Sequence, residues 1–270
     1  HAALRRLQHE GIGILYVTHR LDAVFALATT VTVLRDGKRV GDGAVAATTA
    51  DDLVAMIVGR RLDDLFVAPH PPAAGAPLLA VEAIEVDGAG PVSFHLQRGE
   101  ILALVGLRGA GHHDVGRFLF GTRCWRSGRV VFDGADWQPA SPAAATARGV
   151  GFVSSRRVEE SLAPSLSVRE NLFMNPRLGG RAHGRVNSRS ERRRTDAALE
   201  RLAVRPHAPE QSILTLSGGN QQKVVLARWI EAGMRLLVLE EPTFGVDVGA
   251  KAEIYRILDQ LVSSGSGVLL

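Results

Sequence analysis

Apolar residues in this chain fall into two patterns. Leu236-Leu237-Val238-Leu239 and the stretch Glu100-Ile101-Leu102-Ala103-Leu104-Val105 are nearly continuous apolar runs. Such runs suit strands covered on both faces, as in a parallel sheet. Gly11 to Val17, Val31 to Leu34 and Gly267 to Leu270 read as further strands. Mixed polar and apolar stretches read as helices at Arg20 to Ala28, Ala50 to Val58, Asp114 to Phe120, Thr195 to Leu202 and Gln221 to Ala232. A Pro/Ala-rich segment, Val67 to Pro77, reads as a linker.

Three of these elements carry candidate chemistry at their ends. Leu216-Ser217-Gly218-Gly219-Asn220-Gln221-Gln222-Lys223 is a Ser-Gly-Gly turn placed to open a helix. First-turn amides lack internal partners and carry the positive end of the helix dipole. Gly218 and Gly219 would let another molecule's anion approach them, and Ser217 adds a hydroxyl. An ordinary N-capped helix would show the same residues. Glu240 and Glu241 follow the 236–239 run, at the edge where open α/β sheets place ligands. One acid there could hold Mg²⁺ and the next could orient a water; a buried strand with a polar exit is the alternative. Gly106-Leu107-Arg108-Gly109-Ala110-Gly111-His112-His113-Asp114 lies between a strand and a helix, the layout of a phosphate-binding loop.

In this order, the three motifs resemble the nucleotide-binding subunits of ABC transporters. More closely, the chain resembles the tandem-domain ATPases of ribose-, galactose- and xylose-type importers. Residues 216–223 are similar to that family's signature, and Pro242 to Lys251 to the stretch that follows its acidic pair, with Asp247 in the D-loop. Tyr16-Val17-Thr18-His19-Arg20 resembles the switch-histidine segment, and Met56 to Arg60 a run that closes the first domain.

The resemblance implies an α/β P-loop NTPase core, with an antiparallel part at the domain start and an inserted helical subdomain at about 154–225. Because His19 precedes every other motif, residues 1–66 read as the end of a first ATPase domain. Residues 67–77 are then the linker, and 78–270 a second ATPase domain that stops before its own switch histidine; the chain reads as a fragment. It implies ATP and Mg²⁺ as cofactors, with Glu241 and His19 catalytic and Glu240 on the metal. Gly106, Gly109, Gly111, His112, His113, Ser217, Gly218, Gly219, Gln221 and Asp247 would contact nucleotide. Implied partners are membrane permease subunits, through them a solute-binding protein, and the first ATPase domain of the same polypeptide; the implied location of the chain is peripheral, at the cytoplasmic face of the plasma membrane.

The sequence departs from the family pattern at four positions. A working loop ends in Gly-Lys-Ser/Thr, whereas His112 and His113 stand here. A histidine of ordinary pKa is only about one-quarter protonated at pH 7. Losing one charge-assisted hydrogen bond weakens nucleotide by about 10- to 100-fold. Glu240 stands where Asp is usual, and Ser155 where a Gln or Glu is usual. The expected result is an asymmetric pair of sites, in which this domain binds nucleotide weakly and lends its signature turn in trans.

Composition changes this picture little. No apolar run reaches the roughly 20 residues needed to span a bilayer. Cys124, the only cysteine, excludes an internal disulfide and reads as packing filler. The +4 formal charge is carried by arginine, most densely at Arg177 to Arg194. That run lacks interleaved aromatics, so it reads as a solvated face rather than a nucleic-acid site. Adjacent His112 and His113 side chains rarely converge on one metal, and no third zinc ligand is evident. Two rivals stay open: a non-hydrolysing regulatory remnant, and a soluble tandem ABC protein acting on ribosomes or nucleic acid.

Overall fold

A computed structural model describes residues 2–18, 20–35, 37–59, 75–87, 89–107, 109–175 and 187–270. The chain divides into two compact units, residues 1–67 with 246–256, and residues 68–245 with 257–270.

In the first unit, α1 (Ala2–His9) and α2 (Leu21–Leu27) precede a hairpin of β1 (Thr30–Arg35) and β2 (Lys38–Ala44), followed by α3 (Ala50–Val58). Thr49 and Asp52 close a reciprocal capping box at the start of α3, and Gly59 ends the helix in the left-handed region. Val54 packs with Ala252, flanked by Leu21, Val58 and Val248. The strand expected over Gly11 to Val17 does not form: residues 12–18 have no regular structure. Leu15 and Val17 are almost fully exposed, and no described strand pairs with them. An apolar run becomes a strand only where a neighbour accepts its ladder bonds.

The second unit opens with β3 (Leu79–Val86), β4 (Ala89–Leu96) and β5 (Ile101–Leu102), then α4 (His112–Leu119), β6 (Trp125–Phe132), β7 (Ala135–Asp136), α5 (Pro142–Arg148) and β8 (Val150–Val153). Helices α6 (Val168–Phe173), α7 (Ser188–Arg201) and α8 (Gly218–Glu231) follow, then β9 (Leu236–Leu239), α9 (Val248–Ser263), whose residues up to 256 belong to the first unit, and β10 (Gly267–Leu269). Strands β4-β3-β6-β7 form an antiparallel sheet, and β5-β10-β9-β8 an all-parallel one. Every residue of β9 is buried, as its apolar run requires. The core between the sheets gathers Phe118, Phe132, Leu79, Ile84, Leu96 and Leu236, with Phe94 packed at its margin.

Several boundaries differ from the sequence reading. β5 is two residues long because its ladder with β10 covers only Ile101 and Leu102, leaving Val105 and Leu107 exposed. α4 starts at His112, not Asp114, because Gly111 takes the left-handed cap conformation at φ 85°. α7 starts at Ser188, where the Asn187 side chain accepts from the Ser190 amide. Cys124 is exposed rather than packed. The linker residues up to 74, and 176–186 of the basic stretch, lie outside the described residues.

Arg228 of α8 is buried, and among the described residues it has no carboxylate partner. Its Nε donates to the Asn171 carbonyl at 2.7 Å and its Nη1 to the Ser161 carbonyl at 2.8 Å. Burial lowers its pKa to about 10. It thereby ties α8 to α6 and to the π-helical turn Arg157–Ser161.

Gly116 sets how closely α4 lies on β9, since a Cβ there would sit 2.9 Å from Val238 Cγ1. Gly116→Val should therefore overpack this contact and cost about 1–3 kcal/mol, read as a lower urea midpoint with unchanged slope.

Candidate functional site

The carboxyl ends of β5, β9 and β10 and the start of α4 enclose a cavity of about 300 Å³. Gly106, His112, His113, Glu240 and Glu241 line it, with Ala103 to Val105, Gly116, Val238, Leu239, Pro242, Leu269 and Leu270. The C-terminal edge of a parallel sheet is where such folds bind ligands, because loops there diverge and helix N-termini point inward.

Between β5 and α4 the loop turns through two left-handed glycines, Gly109 (φ 87°) and Gly111 (φ 85°). A Cβ on Gly106 would lie 2.9 Å from Ala110 Cβ and 3.0 Å from His112 Nδ1, so the His112 ring packs directly against that glycine. His112 Nδ1 is buried with no partner among the described residues. The His112 and His113 rings lie 4.3 Å apart, tilted by 38°.

Glu240 is the centre of the polar part. Its side chain is only 4% exposed, and it is held by Arg117 of α4 in a fork: Nε to Oε1 at 2.7 Å and Nη2 to Oε2 at 2.9 Å. Arg117 Nη2 also donates to Glu160 Oε2 at 2.8 Å, and its guanidinium lies 5.6 Å from the Phe152 ring centre. Burial alone would lower the Arg117 pKa, but Glu240 and Glu160 outweigh it and raise the value. Ser154 Oγ reaches Glu160 at 2.6 Å and Glu240 at 3.3 Å. Burial pushes the Glu160 carboxyl up, yet the Ser154 hydroxyl, Arg117 and Arg156 bring it below the usual carboxylate range.

Two of the departures meet here. The longer side chain of Glu240 reaches the backbone amide of Ser155 at 3.3 Å and its hydroxyl at 3.4 Å. A Glu in place of Asp and a Ser in place of a longer residue complement each other in length.

Mg²⁺ does not fit this donor set. Its octahedron needs oxygen ligands at close, strict distances. Both Glu240 oxygens already accept from Arg117, and His113 offers an imidazole, its Nδ1 3.7 Å from Glu240 Oε1, where a hydroxyl would be needed. Among the described residues no three His, Cys, Asp or Glu side chains converge as a metal cage.

Glu241 has a different setting. It is exposed, at the mouth of the cavity, and its backbone is left-handed at φ 42°. This conformation costs a non-glycine residue of order 1 kcal/mol and concentrates at functional sites.

The signature turn stands apart from the cavity lining. Ser217 caps α8: its Oγ accepts from Asn220 Nδ2 at 2.9 Å and more loosely from the Asn220 amide. The helix starts at Gly218, three residues before the expected Gln221. Gln221 faces inward, where its Nε2 donates to the Ile213 and Leu216 carbonyls at 3.3 and 3.2 Å. It braces the turn from behind. Arg157 lies on the turn: its Nη2 is 2.9 Å from where a Gly218 Cβ would be, and its Nε donates to Gln221 Oε1 at 3.3 Å. Burial lowers the Arg157 pKa against the weaker opposing pull of Glu159.

The structure thus brings Gly106, His112, His113, Glu240 and Glu241 into one cavity, leaves Gly109 and Gly111 in the loop outside its lining, and gathers Ser217, Gly218 and Gly219 in a separate turn. Residues 154–161 join the two, with Ser154 and Ser155 on Glu240 and Arg157 on Gly218. Asp247 belongs to the other compact unit, where its Oδ1 accepts from the Ala250 amide at 2.9 Å. His19 lies outside the described residues. The sequence reading missed Arg117, and it singled out residues 153–160 only as one loop resembling the family's γ-phosphate-sensing segment, with no separate role for Ser154, Arg157 or Glu160. Only arginine's spacing from the loop could have hinted at Arg117, and spacing does not say which carboxylate it meets.

A parallel sheet, a glycine loop leading into a helix, and an acidic strand end define a P-loop ATPase-type fold. Residues 89–244 match the model of the ABC transporter family, and the chain belongs to that family. The ribose import ATP-binding protein RbsA of Burkholderia mallei is 40% identical over 272 residues, covering 99% of this chain and 53% of the relative. RbsA of Streptococcus agalactiae is 36% identical, covering 99% and 54%, and RbsA 1 of Streptomyces avermitilis 39% identical, covering 100% and 51%. The chain therefore spans about half the length of the curated relatives it matches. Among solved structures, the ATP-binding cassette MJ1267 aligns with a TM-score of 0.61 at 21% identity, covering 72% of this chain and 81% of that one. The cassette MJ0796 aligns with a TM-score of 0.61 at 20% identity, covering 71% and 86%.

Arg117→Met should strand Glu240 beside Glu160 and cost about 2–4 kcal/mol. Adding Glu240→Gln should recover much of that loss, so a double-mutant cycle in urea reads a coupling well outside additivity.

Proposed function

We propose that this chain is part of the ATP-binding subunit of a sugar importer, and that its ATP-binding domain works by partnership more than by its own chemistry. In this reading ATP closes two cassettes head to tail, and reopening drives a membrane permease between its inward- and outward-facing states. The competent nucleotide lies between the phosphate loop of a first ATPase domain in the same polypeptide and the Ser217-Gly218-Gly219 turn offered in trans. His19 belongs to that site, and Mg²⁺ serves there. The machine works at the cytoplasmic face of the plasma membrane, with a solute-binding protein delivering the sugar to the permease.

The observation that carries the reading is the signature turn. Ser217 caps α8, Gly218 and Gly219 form its first turn without side chains, Gln221 braces the turn from behind and Arg157 lies on Gly218, a cation beside the place an anion would take. The names of the whole-chain relatives support a sugar as the cargo. At the other end of the domain, Arg117 on Glu240 and histidines in place of Lys and Ser/Thr support a site that hydrolyses little. Those same features favour, as a second reading, a regulatory pseudo-ATPase.

In the complete transporter reconstituted in liposomes, Ser217→Arg should block the anion's approach and lower ATP turnover by about tenfold or more. Near-normal turnover would overturn the trans role. His112→Lys with His113→Thr tests the cavity at the end of β9: on this account turnover changes little while Arg117 still holds Glu240.

A further inference from the structure

We infer that the cavity at the end of β9 takes a nucleoside diphosphate or triphosphate without a divalent cation, Arg117 standing permanently where the metal's charge would neutralise Glu240. The inference rests on the nucleotide-binding reading of the cavity and specifies its ligand form.

Glu240 has no free oxygen to offer. Oε1 accepts from Arg117 Nε, while Oε2 accepts from Arg117 Nη2 and lies within 3.3–3.4 Å of Ser154 Oγ and the Ser155 amide and hydroxyl. Arg117 is itself fixed from a second side, by Glu160 at 2.8 Å, and Glu160 is in turn paired with Arg156. Two guanidinium groups thus face two carboxylates, and the cluster is electrically balanced. A divalent cation brought to Glu240 would have to evict Arg117 and then sit beside it as a like charge. Such an arrangement is strongly unfavourable where water is excluded. His113 adds no oxygen ligand, and its ring stands on the Oε1 side of the carboxylate.

What remains suits a bare phosphate. The first-turn amides of α4 carry the positive end of the helix. His112 Nδ1, buried beside Gly106 and without a partner among the described residues, is a polar group in need of one. Backbone amides of this kind bind a phosphate chain weakly, and they do so without asking for a metal. A cation-free nucleoside diphosphate or triphosphate is therefore the form this cavity takes.

The test is calorimetric binding of ADP to this 270-residue chain, in EDTA and again with Mg²⁺ in excess. The dissociation constants should agree within about threefold, or binding should weaken with Mg²⁺. Tightening by about tenfold or more with Mg²⁺ would overturn the metal-free site while upholding the nucleotide reading. No binding in either buffer would overturn both. In Arg117→Met, Glu240 is released and Mg²⁺ dependence should appear; if the variant fails to fold, the comparison on the unaltered chain decides alone.

Discussion

Burying the Glu240 carboxylate at the end of β9 imposes a requirement that the surrounding structure is built to meet. The side chain is 4% exposed, and a carboxylate in that position needs a counter-charge and hydrogen-bond donors. Arg117 provides both. To do so it must project from the right turn of α4, and α4 must lie close on β9. Gly116 permits that approach, and left-handed Gly111 starts the helix early enough to place residue 117. The phosphate-loop geometry and the carboxylate's partner are therefore one problem with one solution.

From that pair, order spreads along a single segment. Glu160 accepts the second side of Arg117, Ser154 and Ser155 close on Glu240, and Arg157 lands on the signature turn. Arg228 anchors the far end of the same segment through the Ser161 carbonyl. A change at the Glu240 end thus has a short, polar route to the turn that would serve a nucleotide in trans.

Much of the architecture was legible. The continuous apolar run at 236–239 is a fully buried parallel strand, and α3 spans the residues expected of it, Ala50–Val58. The acidic strand end and the histidine loop could be placed in one cavity from motif order alone, because strand–loop–helix units put their loops at one sheet edge. What could not be read depends on pairing in space. The Gly11 to Val17 run has the composition of a strand, yet no described neighbour pairs with it. Gln221 belongs to a nucleotide-binding motif by sequence, and its amide turns inward to satisfy two buried carbonyls. Arg117 is one arginine among many in the sequence, 123 residues from the acid it holds, and no local pattern joins them. Glu240 and Ser155 each read as a defect in isolation; side by side they are a length-matched pair.

The most direct test of the account is a crystal structure of this chain grown with ADP and Mn²⁺, with anomalous scattering recorded to locate the metal. The account predicts Arg117 still forked on Glu240 and no anomalous peak at that carboxylate. A peak within coordination distance of Glu240, with the Arg117 side chain swung away, would contradict it.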